Sequence, residues 1–205
     1  MPRFSRRLLL TATMAALAWI VPRAVAKAAS LGTGIRGVDH IGLVVRDIAA
    51  ATAFLEAAIG ARVIYDTLPL GADPQEGHDA ESRLGLASGA RIVAIRMMHL
   101  ANGPGIELFQ VEADDQHGPA RSSDLGWQHI ALYTDDIDAA LVRFAQAGGT
   151  VLSRPHSLPP QEAGPGNQFC YAQMPFGPLI EFITYPHPQP YREQTDLRRW
   201  TPPAS

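Results

Sequence analysis

Two stretches of this 205-residue chain are copies of one another, and a chain made by doubling one unit has to fold so that each copy packs beside the other. DHIGLVVRDIAAATAFLEAAIGA surrounds His40, and QHIALYTDDIDAALVRFAQAGGT surrounds His129. At a constant offset of 89 (129 minus 40), His40 matches His129, Ile41 matches Ile130, Leu43 matches Leu132, Asp47 matches Asp136, and Gly60 matches Gly149. Each copy closes on a related string, GIELF at 105–109 and PLIEFI at 178–183, which makes Glu107 and Glu181 equivalent. A lone His on an apolar strand is commonly a hydrogen-bonded core residue, and a lone Glu an edge-strand charge. A repeated pair is another matter. Burying two carboxylates in such apolar runs costs several kcal/mol each unless something compensates, and neither run holds a Lys or Arg. A divalent metal is the economical counter-charge, held where the two copies face each other by His40, Glu107, His129 and Glu181.

Periodicity supplies the local structure. Residues 38–45 are rich in β-branched side chains and predict a strand, followed by a helix capped at Asp47 that runs through Ile59 and stops at Gly60. Strands are predicted at 61–67, 90–100 and 105–112, with a hairpin turn signal at Asn102-Gly103. The order is βαβββ. The second copy repeats it with a strand at 128–134, a helix from Asp136 to Ala147 ended by Gly148-Gly149, and strands at 150–153, 168–174 and 178–185. The modules therefore span 36–112 and 128–185, with a linker at 113–127, an insertion at 67–89 containing a short helix at His78–Leu86, and a proline-rich tail at 186–205. Alternation puts each His on a face with a small residue two positions on, Gly42 or Ala131, while Ile41, Leu43 and Val45 face the module's helix. The histidine face has room for a ligand.

The doubled DHIGLVVRDI and QHIALYTDDI, the strings GIELF and PLIEF, and the repeated βαβββ order resemble the vicinal oxygen chelate superfamily over about residues 36–185. The resemblance implies an α+β fold of two tandem modules forming a U-shaped mixed sheet around a metal site. Superfamily members include glyoxalase I, methylmalonyl-CoA epimerases, extradiol dioxygenases, fosfomycin-resistance transferases and metal-free bleomycin-binding proteins. The ligand pattern is most similar to glyoxalase I, whose His or Gln, Glu, His and Glu fall on His40, Glu107, His129 and Glu181. Extradiol and fosfomycin enzymes use two His and one Glu, leaving the place of Glu107 without a carboxylate. The implied activity is that of a glyoxalase-type lyase or isomerase with one divalent ion (Zn, Ni, Co, Mn or Fe). Glu181, and Glu107 from the other side, would move a proton on a small chelating substrate. The alternatives are an extradiol-type dioxygenase and a non-catalytic small-molecule binding or resistance protein. Phe109, Tyr133, Phe169 and Tyr171 are candidates for the cavity wall. His78, His99, His117, His156 and His187 lack a partner at ligand spacing.

The first 26 residues predict export. A basic head with the pair Arg6-Arg7, an apolar run from Leu8 to Val21 and the small-residue string Ala24-Val25-Ala26 resemble a twin-arginine signal peptide, which implies a periplasmic or secreted mature protein. That run is 14 residues, short of the roughly 20 of a membrane-spanning helix, so no stable span is expected after cleavage. Losing four arginines takes the formal charge from -3 to -7 (-3 minus 4), which argues against nucleic acid as a partner. The expected partner is a small-molecule substrate, with a homodimer left open. Cys170 is the only cysteine, so the fold rests on its core or its metal.

Overall fold

The computed structural model describes residues 34–203, so the expected leader at 1–26 lies outside the described residues. The first module runs β1 (His40–Val45), α1 (Ile48–Ile59), β2 (Arg62–Leu68), α2 (Gly77–Leu84), β3 (Arg91–His99) and β4 (Gly105–Glu112). The second runs β5 (His129–Tyr133), α3 (Ile137–Gln146), β6 (Thr150–Val151), β7 (His156–Ser157), β8 (Gln168–Gln173) and β9 (Leu179–Thr184). The α+β fold of two βαβββ modules stands as the sequence indicates. Each module builds a mixed sheet, ordered β1-β4-β3-β2 and β5-β9-β8-β6, with β7 also on β8, and no strand belongs to both sheets. In each, the first strand pairs in parallel with the last, β1 with β4 and β5 with β9.

The same local signals start both helices. Asp47 accepts from the Ala49 and Ala50 amides, and Asp136 from the Ala139 amide. An N-cap of this kind contributes about 1 kcal/mol. The helices end differently. Gly60 closes α1 in the left-handed region at φ 70°, whereas after α3 it is Gly148 that takes positive φ, at 104°. Gly149 instead leaves room: a Cβ there would sit 2.1 Å from the Phe144 ring.

One core serves both modules. It gathers Leu55 and Phe54 of α1, Met98 and Leu108 of the first sheet, Leu141 and Phe144 of α3, and Cys170, Ile180 and Phe182 of the second. Phe54 and Phe144 meet edge to face at 5.2 Å, and Phe144 meets Phe182 in the same way at 5.2 Å. The helices are thus packed against each other, and each sheet turns one face to this shared core and the other away from it.

Two predicted elements are trimmed. The helix in the insertion is α2, ending at Leu84 against Gly85 in the left-handed conformation rather than at Leu86. The strand expected at 150–153 gives way after Leu152, because Pro155 cannot donate to the ladder; pairing with β8 resumes only at His156. The tail is fastened down: buried Asn167 accepts from the His187 amide and donates to the Glu162 and His187 carbonyls, and the Tyr191 amide donates to Gln161.

Candidate metal centre

The parallel register explains how each pair forms. Gly42 stands opposite Glu107 in the β1–β4 ladder, and Ala131 stands opposite Glu181 in the β5–β9 ladder. Partners in a parallel ladder point to the same face, so each Glu emerges beside a residue with little or no side chain, two positions along from the His. The carboxylate leans into that gap. His40 Nε2 comes within 3.3 Å of Glu107 Oε2, and His129 Nε2 within 3.2 Å of Glu181 Oε2. The duplication therefore holds to the level of single atoms.

Exposure differs between the two pairs. The His40 and Glu107 side chains are 40% and 19% exposed, those of His129 and Glu181 25% and 13%, so the second pair is the drier. Burial pushes the Glu181 carboxyl above its ordinary range, opposed by the His129 and Arg199 charges. His40 is raised chiefly by its hydrogen bond to Asp39, against a smaller effect of burial and with help from Glu107.

The structure brings the four predicted ligands together two by two, one pair on the outer face of each sheet. Among the described residues, no three His, Cys, Asp or Glu side chains gather at a point that could hold a metal ion. Each pair nonetheless suits a divalent ion. Two donors on neighbouring positions of a six-coordinate ion, each about 2.1 Å from it and at right angles, lie about 3 Å apart. The observed separations of 3.3 and 3.2 Å are close to that spacing.

Of the aromatic residues predicted for the wall, Tyr171 stands opposite Glu181 in the β8–β9 ladder and meets the His129 ring edge to face at 5.1 Å. Phe169 follows at 5.7 Å from Tyr171. Phe109 covers Gly42, its ring 3.6 Å from where a Cβ would be. Tyr133 packs on Tyr185 and Trp200 of the tail instead. The wall also includes residues that the sequence reading left out. Arg199 lies over the Tyr185 ring at 5.4 Å and pairs with Glu162 at 2.7 Å, bringing a tail cation into electrostatic reach of Glu181. No sequence period marks it, since the tail has none. Asp39 and Gln128 were left out too, although each stands immediately before a repeated His, and both touch the ring: Asp39 Oδ1 and Gln128 Oε1 each lie 2.8 Å from Nδ1.

The profile of the Glyoxalase/Bleomycin resistance protein/Dioxygenase superfamily matches residues 39–171. The chain belongs to this superfamily. Among its relatives is a 2-epi-5-epi-valiolone epimerase of an Actinomyces species, 32% identical over 181 residues, covering 85% of this chain and 94% of the relative. In fold it is similar to a glyoxalase family protein from Bacillus cereus, at 22% identity and a TM-score of 0.57, covering 76% of this chain and 98% of that one. A superfamily domain from Frankia sp. superposes at 15% identity with a TM-score of 0.50, covering 74% and 98%.

Proposed function

We propose that this superfamily member is a metal-dependent isomerase that moves a proton at a carbon next to the chelated oxygens of a small substrate. The observation that carries the reading is the duplicated His–Glu pair, each with its donors spaced for adjacent positions on one ion. Since the pairs sit on separate sheets of one chain, the reading includes a twofold homodimer. The sheet bearing His40 and Glu107 would face that bearing His129 and Glu181 in the partner subunit, and one rotation axis would complete two identical sites.

A divalent cation in such a site would lower the cost of negative charge on a substrate oxygen. The protein's own groups do the rest. Four single-oxygen or single-nitrogen ligands would leave two positions of a six-coordinate ion, the number that a bidentate substrate needs. Glu181, the more buried carboxylate, takes the proton from the adjacent carbon and returns it to that carbon or its neighbour. Tyr171 and Phe169 flank it and narrow the access of water. Delivery of a proton to the opposite face of the same carbon, by Glu107 from the other side, is epimerisation, the reaction in the name of the Actinomyces relative. Return to the neighbouring carbon is the glyoxalase-type outcome. Both need a positioned carboxylate beside a carbon acidified by a carbonyl.

The test is solvent deuterium incorporation, with 2-epi-5-epi-valiolone and 2-oxoaldehyde thiol adducts as substrates, comparing the wild type with Glu181→Gln. The amide oxygen can still coordinate but cannot carry the proton. Incorporation by the wild type and none by the variant, with metal retained, is the expected result. No exchange with either compound, together with oxygen uptake on catechols in the iron(II) form, would replace this reading with the dioxygenase one.

A further inference from the structure

We infer that Asp39 and Gln128 are positioning residues that set the ring orientation and tautomer of the two histidines, and that they make the two half-sites unequal as metal donors. The inference rests on the metal-binding reading above. Asp39 and Gln128 stand immediately before β1 and β5, which begin at His40 and His129. Both turn back onto the ring they precede, with an oxygen 2.8 Å from Nδ1. An ionised carboxylate only accepts hydrogen bonds, so the Asp39 contact places the proton on Nδ1 of His40. That leaves the Nε2 lone pair on the side of Glu107, where an ion would sit. The Gln128 carbonyl oxygen does the same for His129, as a neutral acceptor. A ring rotated by half a turn about Cβ–Cγ would present carbon where the donor is needed, and this torsion has two broad wells of similar energy. The neighbouring oxygen selects between them.

The two anchors are not equivalent. Asp39 carries a full charge and draws the Nδ1 proton more strongly, so His40 is the better donor of the pair. Outer partners of metal-bound histidines typically change metal affinity 10–100-fold. Asp39 is 94% exposed, which places its effect at the lower end, about 10-fold, and the neutral Gln128 below that.

The experiment uses the full chain and Zn2+ as the probe, with affinity read by competition against a fluorescent chelator and ring orientation by the Nδ1 proton in NMR spectra of the zinc-loaded protein. Asp39→Ala should weaken Zn2+ binding about 10-fold and expose the His40 Nδ1 proton to rapid solvent exchange. Asp39→Asn, which keeps an acceptor oxygen, should hold the ring and recover part of the affinity. Gln128→Glu should tighten binding. Melting temperatures should stay unchanged, because both residues are exposed. If the wild type binds Zn2+ while Asp39→Ala and Gln128→Ala bind equally well with both Nδ1 protons undisturbed, the anchoring role is wrong and the metal site stands. A wild type that binds no Zn2+ overturns the metal-binding reading and this inference with it.

Discussion

Two crippled chains should repair each other. One variant, His40→Ala with Glu107→Ala, loses the first pair; the other, His129→Ala with Glu181→Ala, loses the second. In a homodimer of either variant, both composite sites keep only one His and one Glu, so each purified variant should contain little tightly bound metal. In a dimer made of one chain of each kind, one site receives both intact pairs and the other receives none. Random pairing of equal amounts gives half heterodimers, each with one good site of two, so metal content should return to about a quarter of the wild-type value. The variants carry different affinity tags and are co-expressed. Metal is read by elemental analysis of the protein retained through both tags, where the expected value is about half that of the wild type. Sedimentation checks that every species is dimeric. A mixture with no more metal than its parents would refute the composite site. Full metal in either parent would show that the ligands lie elsewhere.

Gly149→Ala should destabilise the protein by about 1–3 kcal/mol, because the new Cβ would lie 2.1 Å from a Phe144 ring that is fully buried between Phe54 and Phe182. Calorimetry should register a fall in melting temperature of about 2–4 °C per kcal/mol, and an unchanged melt would mean that the ring is free to move. Asp66 is held below its ordinary 3.8 by Arg96, whose Nε and Nη2 donate to the two carboxylate oxygens at 2.7 and 3.0 Å. Its contribution is therefore complete above that ordinary value and lost as pH falls through the depressed one; Asp66→Asn should cost about 1 kcal/mol at neutral pH and flatten this acid limb of the urea midpoint. If export follows the proposed route, mass spectrometry of the mature protein from its native cell should find a start close to Lys27, and a form still beginning at Met1 would count against the leader.

What could be read from the chain was what repeats. The offset of 89 identified the histidines, the helix caps at Asp47 and Asp136 and the module order, because duplication preserves spacing and strand alternation fixes facing. Glu107 and Glu181 were found from matching apolar strings, and the ladder register places each opposite a small residue. The separation of the two pairs was not legible. Whether two sheets face each other or pack through their helices depends on how Phe54, Phe144 and Phe182 interlock, and no local pattern encodes that contact. The helix end expected at Gly148-Gly149 divides its roles between the two glycines. Gly148 takes the positive φ, and Gly149 makes space for a ring. Arg199 was out of reach because its place depends on tertiary bonds from Asn167 and Gln161 to the tail.

The fastened tail has a consequence for how such a protein can change. The His–Glu pairs stand in hydrogen-bonded ladders where a one-residue slip would reverse every side chain, so that part of the fold resists insertion and deletion. The segment from Pro186 to Trp200 crosses outside the ladders, yet delivers Arg199 and Trp200 to the tyrosines beside the second pair. Lengthening or recomposing it costs little more than loop entropy. The segment can therefore be recomposed while the two His–Glu pairs are inherited intact.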